Sequence, residues 1–162
     1  MILVLLGTQN NSFKRLLKEI NRLKNEGIIK EKILVQAGYT KIEDNNKNSD
    51  IEVFDFVDSN KIQEMMKQAE YIITHGGVGS IVSGLKLEKK IIAVPRLKKY
   101  DEHVNDHQLE IVEEYTKSGY IIGIKDVSEL EKAYRNLKNF KPNKFNGDNN
   151  KLVQMVEDFI NK

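Results

Sequence analysis

The chain has 162 residues, of which 40% are hydrophobic, and its 26 basic and 24 acidic residues give a formal net charge of +2. This length suits one domain with a single core, and so balanced a charge gives no indication of nucleic-acid binding. The absence of cysteine excludes disulfides, thiolate catalysis and cysteine-ligated zinc, and it fits a reducing compartment.

Apolar runs and helical patterns alternate through the first third of the chain. The opening MILVLL lacks a basic stretch and is too short for a signal peptide or a membrane span, so it predicts a buried strand over 2–6. Apolar residues at helical spacing then predict a helix over 13–23. The runs at 32–38 and 51–57 predict a second and a third strand.

The alternation continues through the middle of the chain. Ile62 to Ala69 carries a helical pattern, and Asn60 is a plausible cap with Gln63 three residues later. A short strand over 71–74 precedes a glycine-rich turn. Apolar residues then predict a helix over 81–87 and a strand over 90–95.

The last third predicts a helix over 103–117 and a strand over 119–124. Ser128 with Glu131 forms a capping-box pattern for the next helix. The final stretch has the spacing of an amphipathic helix, carried by Leu152, Met155, Val156, Phe159 and Ile160.

Continuous apolar strands separated by helices predict a parallel sheet that is covered on both faces. The fold class is therefore α/β, a doubly wound, Rossmann-like sheet, and residues 1–162 form a single domain. The polar, asparagine-rich segments 41–50 and 139–151 are predicted to be surface loops rather than linkers.

The sequence THGGVGS, residues 74–80, stands where a strand turns into a helix. It matches neither a Walker loop, which needs Lys before its final Ser or Thr, nor a dinucleotide fingerprint, because Val82 replaces the third glycine. A general anion-binding loop remains, with the amides near Gly76 to Ser80, the Ser80 hydroxyl and His75. The alternative is a turn whose glycines only allow close packing of strand on helix.

A second polar stretch, residues 94–108, leaves the next strand at the same edge of the sheet. His103 and His107 have the spacing of two zinc ligands on a helix, but Val104 replaces the glutamate of that motif and no third ligand is evident. Asp106 and Gln108 together can accept from and donate to sugar hydroxyls. The alternative is a solvated helix start.

Three motifs in consistent order resemble the C-terminal domain of family 28 glycosyltransferases. They are MILVLLGTQNNSFKRLLKEI, THGGVGSI and IIAVPRLKKYDEHVNDHQ, and the resemblance covers residues 1 to about 125. It is strongest for short, single-domain members: bacterial capsule and exopolysaccharide galactosyl- or glucosaminyltransferase subunits, and their eukaryotic counterpart in dolichol-linked sugar synthesis. The resemblance implies the donor-binding, C-terminal half of a GT-B enzyme, which transfers a hexose from a UDP-sugar to a lipid-linked saccharide.

The resemblance also implies roles for individual residues. The turn at Gly7 and Thr8 would face the cleft, and Phe56 with Val57, at the end of the third strand, would cradle the uracil ring. The diphosphate would lie on His75, Gly76, Gly77, Gly79 and Ser80. Asp106 and Gln108 would read the hydroxyls of the donor sugar.

One position departs from the pattern of the larger relatives. Ser83 stands where they carry a glutamate that grips the ribose, and a serine lacks the bidentate reach of a carboxylate. The implied chemistry is displacement at the anomeric carbon with UDP leaving, aided by amides at a helix N-terminus. Neither a cofactor nor a metal is expected, and His75 is given only a supporting catalytic role.

The resemblance implies a membrane-associated, Rossmann-like partner subunit that brings the acceptor, so the chain would be cytoplasmic and peripheral at the inner face of the membrane. The run RLKKY (96–100) would then face that partner, anionic lipid or water. Two other functions remain open: a non-catalytic nucleotide-sugar sensor, favoured by Ser83, and a sugar-nucleotide epimerase, which normally needs both halves in one chain.

Overall fold

The computed structural model describes residues 1–42 and 48–147, and beyond them Gln154, Glu157 and Asp158. Within these residues six parallel strands form one sheet, in the order β3-β2-β1-β4-β5-β6. The strands are β1 (Ile2–Leu5), β2 (Ile33–Gln36), β3 (Ile51–Phe54), β4 (Tyr71–His75), β5 (Lys90–Val94) and β6 (Ile122–Gly123). The helices are α1 (Lys14–Asn25), α2 (Ser59–Gln68), α3 (Val78–Lys86), α4 (His107–Lys117) and α5 (Leu130–Leu137), with single 3-10 turns at Lys98–Tyr100 and Val127–Glu129.

Both faces of the sheet are buried, as the continuous apolar strands predict. Ile2 and Val4 of β1 point into one core with α1 and α5, whereas Leu3 and Leu5 point into the other with α2, α3 and α4. Successive side chains of a strand leave opposite faces, so one apolar run supplies both cores. The doubly wound α/β fold is confirmed.

The strand order reverses between β1 and β4. The chain builds outward from β1 through β2 to β3 and then returns to place β4 on the other side of β1. Leu5, Thr74 and Ala93 lie level across β1, β4 and β5, so the loops after these strands meet at one edge. In open α/β sheets, ligands bind at such a switch point beyond the carboxyl ends of the strands.

Several element boundaries differ from the sequence predictions. β3 ends at Phe54, so Phe56 and Val57 lie in the loop beyond it; α3 begins at Val78 and not at 81. α4 begins at His107, because residues 103–106 belong to a loop held by contacts to the β1–α1 loop. β6 is only two residues long.

Both capping predictions were wrong by two residues. Asp58, and not Asn60, caps α2, with its carboxylate accepting from the Lys61 amide. A capping box is present between Asp126 and Glu129, where Ser128 and Glu131 were predicted. The apolar residues of the predicted terminal helix lie outside the described residues, as do parts of both polar segments. Among the helices of the described residues, none is long and apolar enough to cross a membrane.

Candidate functional site

Three loops converge where β1, β4 and β5 end: 6–13 between β1 and α1, 76–77 between β4 and α3, and 95–106 between β5 and α4. Hydrogen bonds join the first loop to the third directly, because the Gln9 amide contacts Nε2 of His103 at 2.9 Å and the Asn11 amide donates to the carbonyl of Asp101. The edge of the sheet is therefore one connected structure.

His75, the last residue of β4, lies between two glycines. A Cβ built on Gly7 would stand 3.2 Å from three atoms of the His75 ring, and one built on Gly77 would overlap the ring at Cε1. Gly7 also has a φ of +92°, a conformation that side chains other than glycine rarely adopt. The absence of a side chain at Gly7 and Gly77 leaves room for the imidazole ring. At Gly77 this supports the interpretation that the glycines of residues 74–80 allow close packing.

Gln108, in the first turn of α4, is hydrogen-bonded to loop 76–77 and to loop 95–106. It is 5% exposed, and its Oε1 accepts from the amide of Gly76 at 3.2 Å and the amide of Arg96 at 3.0 Å. Its Nε2 lies 3.2 Å from Nδ1 of His75. Both acceptor positions of the amide oxygen are thus used by the protein, so only the NH2 group of Gln108 is left to contact a sugar hydroxyl.

His75 is neutral at physiological pH. Burial, which disfavours the charged ring, is the main cause that lowers its pKa to about 4, and the positive charges of Arg96 and His103 add to it. A neutral imidazole keeps one donor and one acceptor nitrogen. His75 therefore offers a hydrogen bond rather than a positive charge to a bound anion.

Arg96 is the most important residue that the sequence interpretation placed wrongly. It was grouped with an exposed basic run, but its side chain is 0% exposed. Its guanidinium donates to the carbonyls of Leu6, Asn11 and Glu102, and it lies over the ring of Phe13 at 5.2 Å. The sequence contains one indication that Arg96 is buried: it directly follows Pro95, which closes a predicted buried strand.

Glu102 connects Arg96 to α1. Its carboxylate, 3% exposed as a residue, accepts two hydrogen bonds from Arg15 of α1 at 2.9 and 3.0 Å and one from the Leu97 amide. Cζ of Arg15 lies 4.5 Å from the centroid of the Tyr100 ring, above its face. Paired and hydrogen-bonded in this way, the buried carboxylate fixes loop 95–106 against α1.

The N-terminus of α3 is open to solvent at one position. Gly79 is exposed, and a Cβ built there would meet no atom of the described residues within 4 Å. Ser80 and Ser83 are partly buried on the same helix. Gly79 is thus not required for packing, and its amide lies where a helix terminus attracts anions.

Asp106 precedes α4 and is exposed. Its Oδ1 accepts from the Lys98 amide at 2.8 Å, which leaves Oδ2 for a ligand. Thr8 is exposed in the turn after β1. Phe56 is 47% exposed and meets Tyr39 edge to face at 5.1 Å between ring centroids, and Val57 beside it is partly buried. The aromatic pair forms an apolar patch beyond β2 and β3.

The structure does not support the zinc alternative. His103 lies in the loop and His107 starts α4, so the two are not partners on one helix face. In the part of the chain that the structure describes, no group of three or more potential ligands could hold a metal ion.

Comparison with known sequences gives a consistent result. The model of the glycosyltransferase family 28 C-terminal domain matches residues 1–162. The UDP-N-acetylglucosamine transferase subunit ALG13 of Candida albicans is 36% identical over 107 residues, which are 66% of this chain and 35% of that protein. Its counterpart from Candida glabrata is 33% identical over 94 residues, 57% of this chain and 46% of that protein. The chain thus spans less than half of the curated relatives it matches.

Solved structures share the fold. A solution structure of ALG13 has a TM-score of 0.57 at 19% identity, covering 96% of this chain and 93% of that one. The UDP-GlcNAc 2-epimerase of Methanocaldococcus jannaschii, solved with UDP-GlcNAc and UDP, has a TM-score of 0.61 at 19% identity over 99% of this chain and 45% of that one. At such identities the likeness concerns architecture, and function has to be argued from the site.

Proposed function

Because this chain belongs to the family of the glycosyltransferase family 28 C-terminal domain, we propose that it binds a UDP-sugar and transfers its hexose to a lipid-linked saccharide. The hexose proposed is galactose or N-acetylglucosamine. One observation carries the proposal: exposed Gly79, in the first turn of α3, lies close in sequence to neutral His75 at the switch point of the sheet. This is where an α/β sheet binds a phosphorylated ligand.

The proposed reaction is displacement at the anomeric carbon. The acceptor hydroxyl attacks, the bond from carbon to the diphosphate oxygen breaks, and the UDP that leaves carries the new negative charge. Amides at the N-terminus of α3 and the His75 ring are oriented before the reaction, so they stabilise that charge without reorganisation. Phe56 and Val57 would contact the uracil, Gly7 and Thr8 would face the reacting groups, and Asp106 would accept from a sugar hydroxyl.

The partner is part of the proposal. Relatives of this chain are named as subunits of a transferase. We propose a membrane-associated, Rossmann-like partner subunit that binds the acceptor and completes the cleft, and that holds this chain at the cytoplasmic face of the membrane. The pathway proposed is capsule or exopolysaccharide synthesis, which follows from the resemblance to the short bacterial subunits.

Calorimetric titration with UDP, UDP-galactose, UDP-GlcNAc and ADP tests the donor site. We expect UDP to bind at least tenfold more tightly than ADP, and one of the two UDP-sugars to bind with an added contribution from the hexose. Asp106→Ala should weaken binding of that UDP-sugar and leave UDP unchanged, since only the hexose reaches the carboxylate. Glu110→Ala, an exposed acidic residue in the first turn of α4, is the matched control.

A non-catalytic sensor is the second candidate, and Ser83 favours it, because a serine of α3 stands where the larger relatives carry a glutamate that grips the ribose. The two functions differ in turnover once the partner subunit is added. A donor-binding catalytic subunit converts the UDP-sugar to UDP with transfer to the lipid-linked acceptor, whereas a sensor binds the nucleotide and releases it unchanged. Equal affinity for ADP and UDP would contradict the uracil contacts in either case.

A further inference from the structure

The orientation of the Gln108 amide is fixed by its surroundings. Two backbone N–H groups, those of Gly76 and Arg96, point at the same atom of the side chain, at 3.2 and 3.0 Å. Both residues are buried, so these donors depend on a protein acceptor. Only an oxygen can accept from them, and exchanging the oxygen and nitrogen of the amide would set its NH2 group against two N–H groups.

This orientation determines which ring nitrogen of His75 carries the proton. Nε2 of Gln108 is a donor only, and it lies 3.2 Å from Nδ1 of His75. Nδ1 must therefore accept, and in a neutral imidazole the proton is then on Nε2. A proton on Nδ1 would face the amide hydrogens of Gln108 at hydrogen-bond distance.

Packing limits the movement of the ring. Gly7 and Gly77 both lie close to it, and hydrogen bonds attach the neighbouring residues Leu6 and Gly76 to Arg96 and Gln108. The charged form is disfavoured as well, because the Arg96 guanidinium and His103 are the charged or titratable groups that act on the ring, and burial lowers its pKa further.

We propose that Gln108 is a positioning residue that holds His75 as the neutral Nε2–H tautomer, so that His75 gives a hydrogen bond to the bound diphosphate and does not act as a base. The tautomer follows from the fold alone, whereas the role at the diphosphate rests on the function proposed above. In this role Gln108 acts through His75 and through the amides of Gly76 and Arg96.

Long-range proton–nitrogen correlation spectra of the uniformly 15N-labelled chain, recorded at pH 7 without ligand, test the tautomer directly. The three forms of imidazole give three different patterns of ring-nitrogen shifts, and His75→Asn assigns the signals by their loss. We expect an acceptor-type Nδ1 and a protonated Nε2. A protonated Nδ1, alone or with a protonated Nε2, overturns the proposal.

Gln108→Glu tests the role of the side chain. One carboxylate oxygen can still accept from Gly76 and Arg96, but the other now faces Nδ1 of His75 and requires a proton there. We expect the ring signals to change to the Nδ1-protonated or doubly protonated pattern, with the backbone amide spectrum otherwise retained. Asp106→Asn, which changes a carboxylate at the same helix start, should leave the His75 signals unchanged. Unchanged His75 signals in Gln108→Glu, at a pH where the introduced carboxyl is ionised, overturn the proposal.

Affinity for a UDP-sugar then reports on the diphosphate role. A UDP-sugar has no phosphate group that titrates between pH 6 and 8.5, so changes in affinity over this range come from the protein. The wild-type affinity should be flat, because His75 is neutral throughout. At a pH where the ring of Gln108→Glu carries no Nε2 proton, the affinity should be about tenfold lower than that of wild type, because one hydrogen bond to the diphosphate is lost.

The results separate the two proposals. The expected tautomer in a chain that binds no UDP-sugar would retain the positioning role of Gln108 and contradict the proposed function. Binding of a UDP-sugar by a chain whose His75 carries its proton on Nδ1 would retain the function and contradict the positioning role. An affinity equal to that of wild type, at a pH where the ring of Gln108→Glu carries no Nε2 proton, would contradict the hydrogen bond to the diphosphate.

Discussion

His75 should make the free energy of unfolding depend on pH below about 6.5. Its folded pKa of about 4 lies below the ordinary value of 6.5, so the unfolded chain takes up a proton at a pH where the folded chain does not. The free energy of unfolding should therefore fall as the pH drops from 6.5 towards 4, by at most about 3 kcal/mol from this group. Urea unfolding of wild type and His75→Gln measures it.

The control is the plateau above pH 7, where neither chain carries a charge at this position. There the two free energies of unfolding should differ by a constant amount. Between pH 6.5 and 4 the wild type should lose more stability than His75→Gln. Parallel curves over the whole range would show that burial does not act on this ring as described.

Gly77 and Gly79 form a matched pair two residues apart. A methyl group at Gly77 would overlap the His75 ring, so Gly77→Ala should destabilise the fold by about 1–3 kcal/mol. At Gly79 a methyl group meets no described atom, and alanine is favoured in a helix by up to about 1 kcal/mol. Gly79→Ala should therefore keep or raise the urea midpoint, yet weaken binding of UDP by occupying the approach to the helix terminus. Equal midpoints for the two variants would contradict the packing around His75.

At the level of secondary-structure elements, Arg96 joins β5 to the loop that follows β1. Arg96→Met keeps much of the apolar length but leaves the carbonyls of Leu6, Asn11 and Glu102 without their donor. Buried carbonyls without a partner cost about 1–3 kcal/mol each, so we expect a loss of more than 3 kcal/mol in the free energy of unfolding. Arg135→Met, which removes an exposed pair with Glu131, should cost less than about 1 kcal/mol. Similar losses in both variants would contradict the central role of Arg96.

The elements that the sequence predicted well are those with strong apolar periodicity. β1, α1 and β2 were predicted within two residues at each end, because their apolar residues alone specify burial. Residues 95–106 were not, since their conformation depends on distant partners. Gln9, Asn11 and Arg15 hold this loop from the far side of the sheet edge, at separations of more than 85 residues. Periodicity carries no information about such contacts.

The candidate site shows the same division. The glycine turn and the stretch after β5 were identified as neighbours because parallel strands end at one edge. The separate tasks of Gly77, which makes room for His75, and Gly79, which stays open, require coordinates. So does the position of Gln108, because an exposed and a buried glutamine are alike in sequence.

For the molecule as a whole, the two cores fix the geometry of the edge. The central strands β1 and β4 are buried on both faces, and the loops that they carry form the candidate site. The opposite end of α3 offers a contrasting surface, a groove of about 370 Å³ lined by three lysines. These are Lys86, Lys89 and Lys144, and they would attract a phosphate by charge without a helix N-terminus.

Amide chemical-shift mapping with UDP shows where the diphosphate binds, because it separates these two surfaces in one titration. We expect the largest changes at residues 76–80, with smaller ones at residues 7–9 and 56–57 and at Gln108. Gly79→Ala should reduce these changes at equal UDP concentration, whereas Lys86→Ala at the other end of the same helix should not. Changes centred on Lys86, Lys89 and Lys144, or none at saturating UDP, would contradict the account.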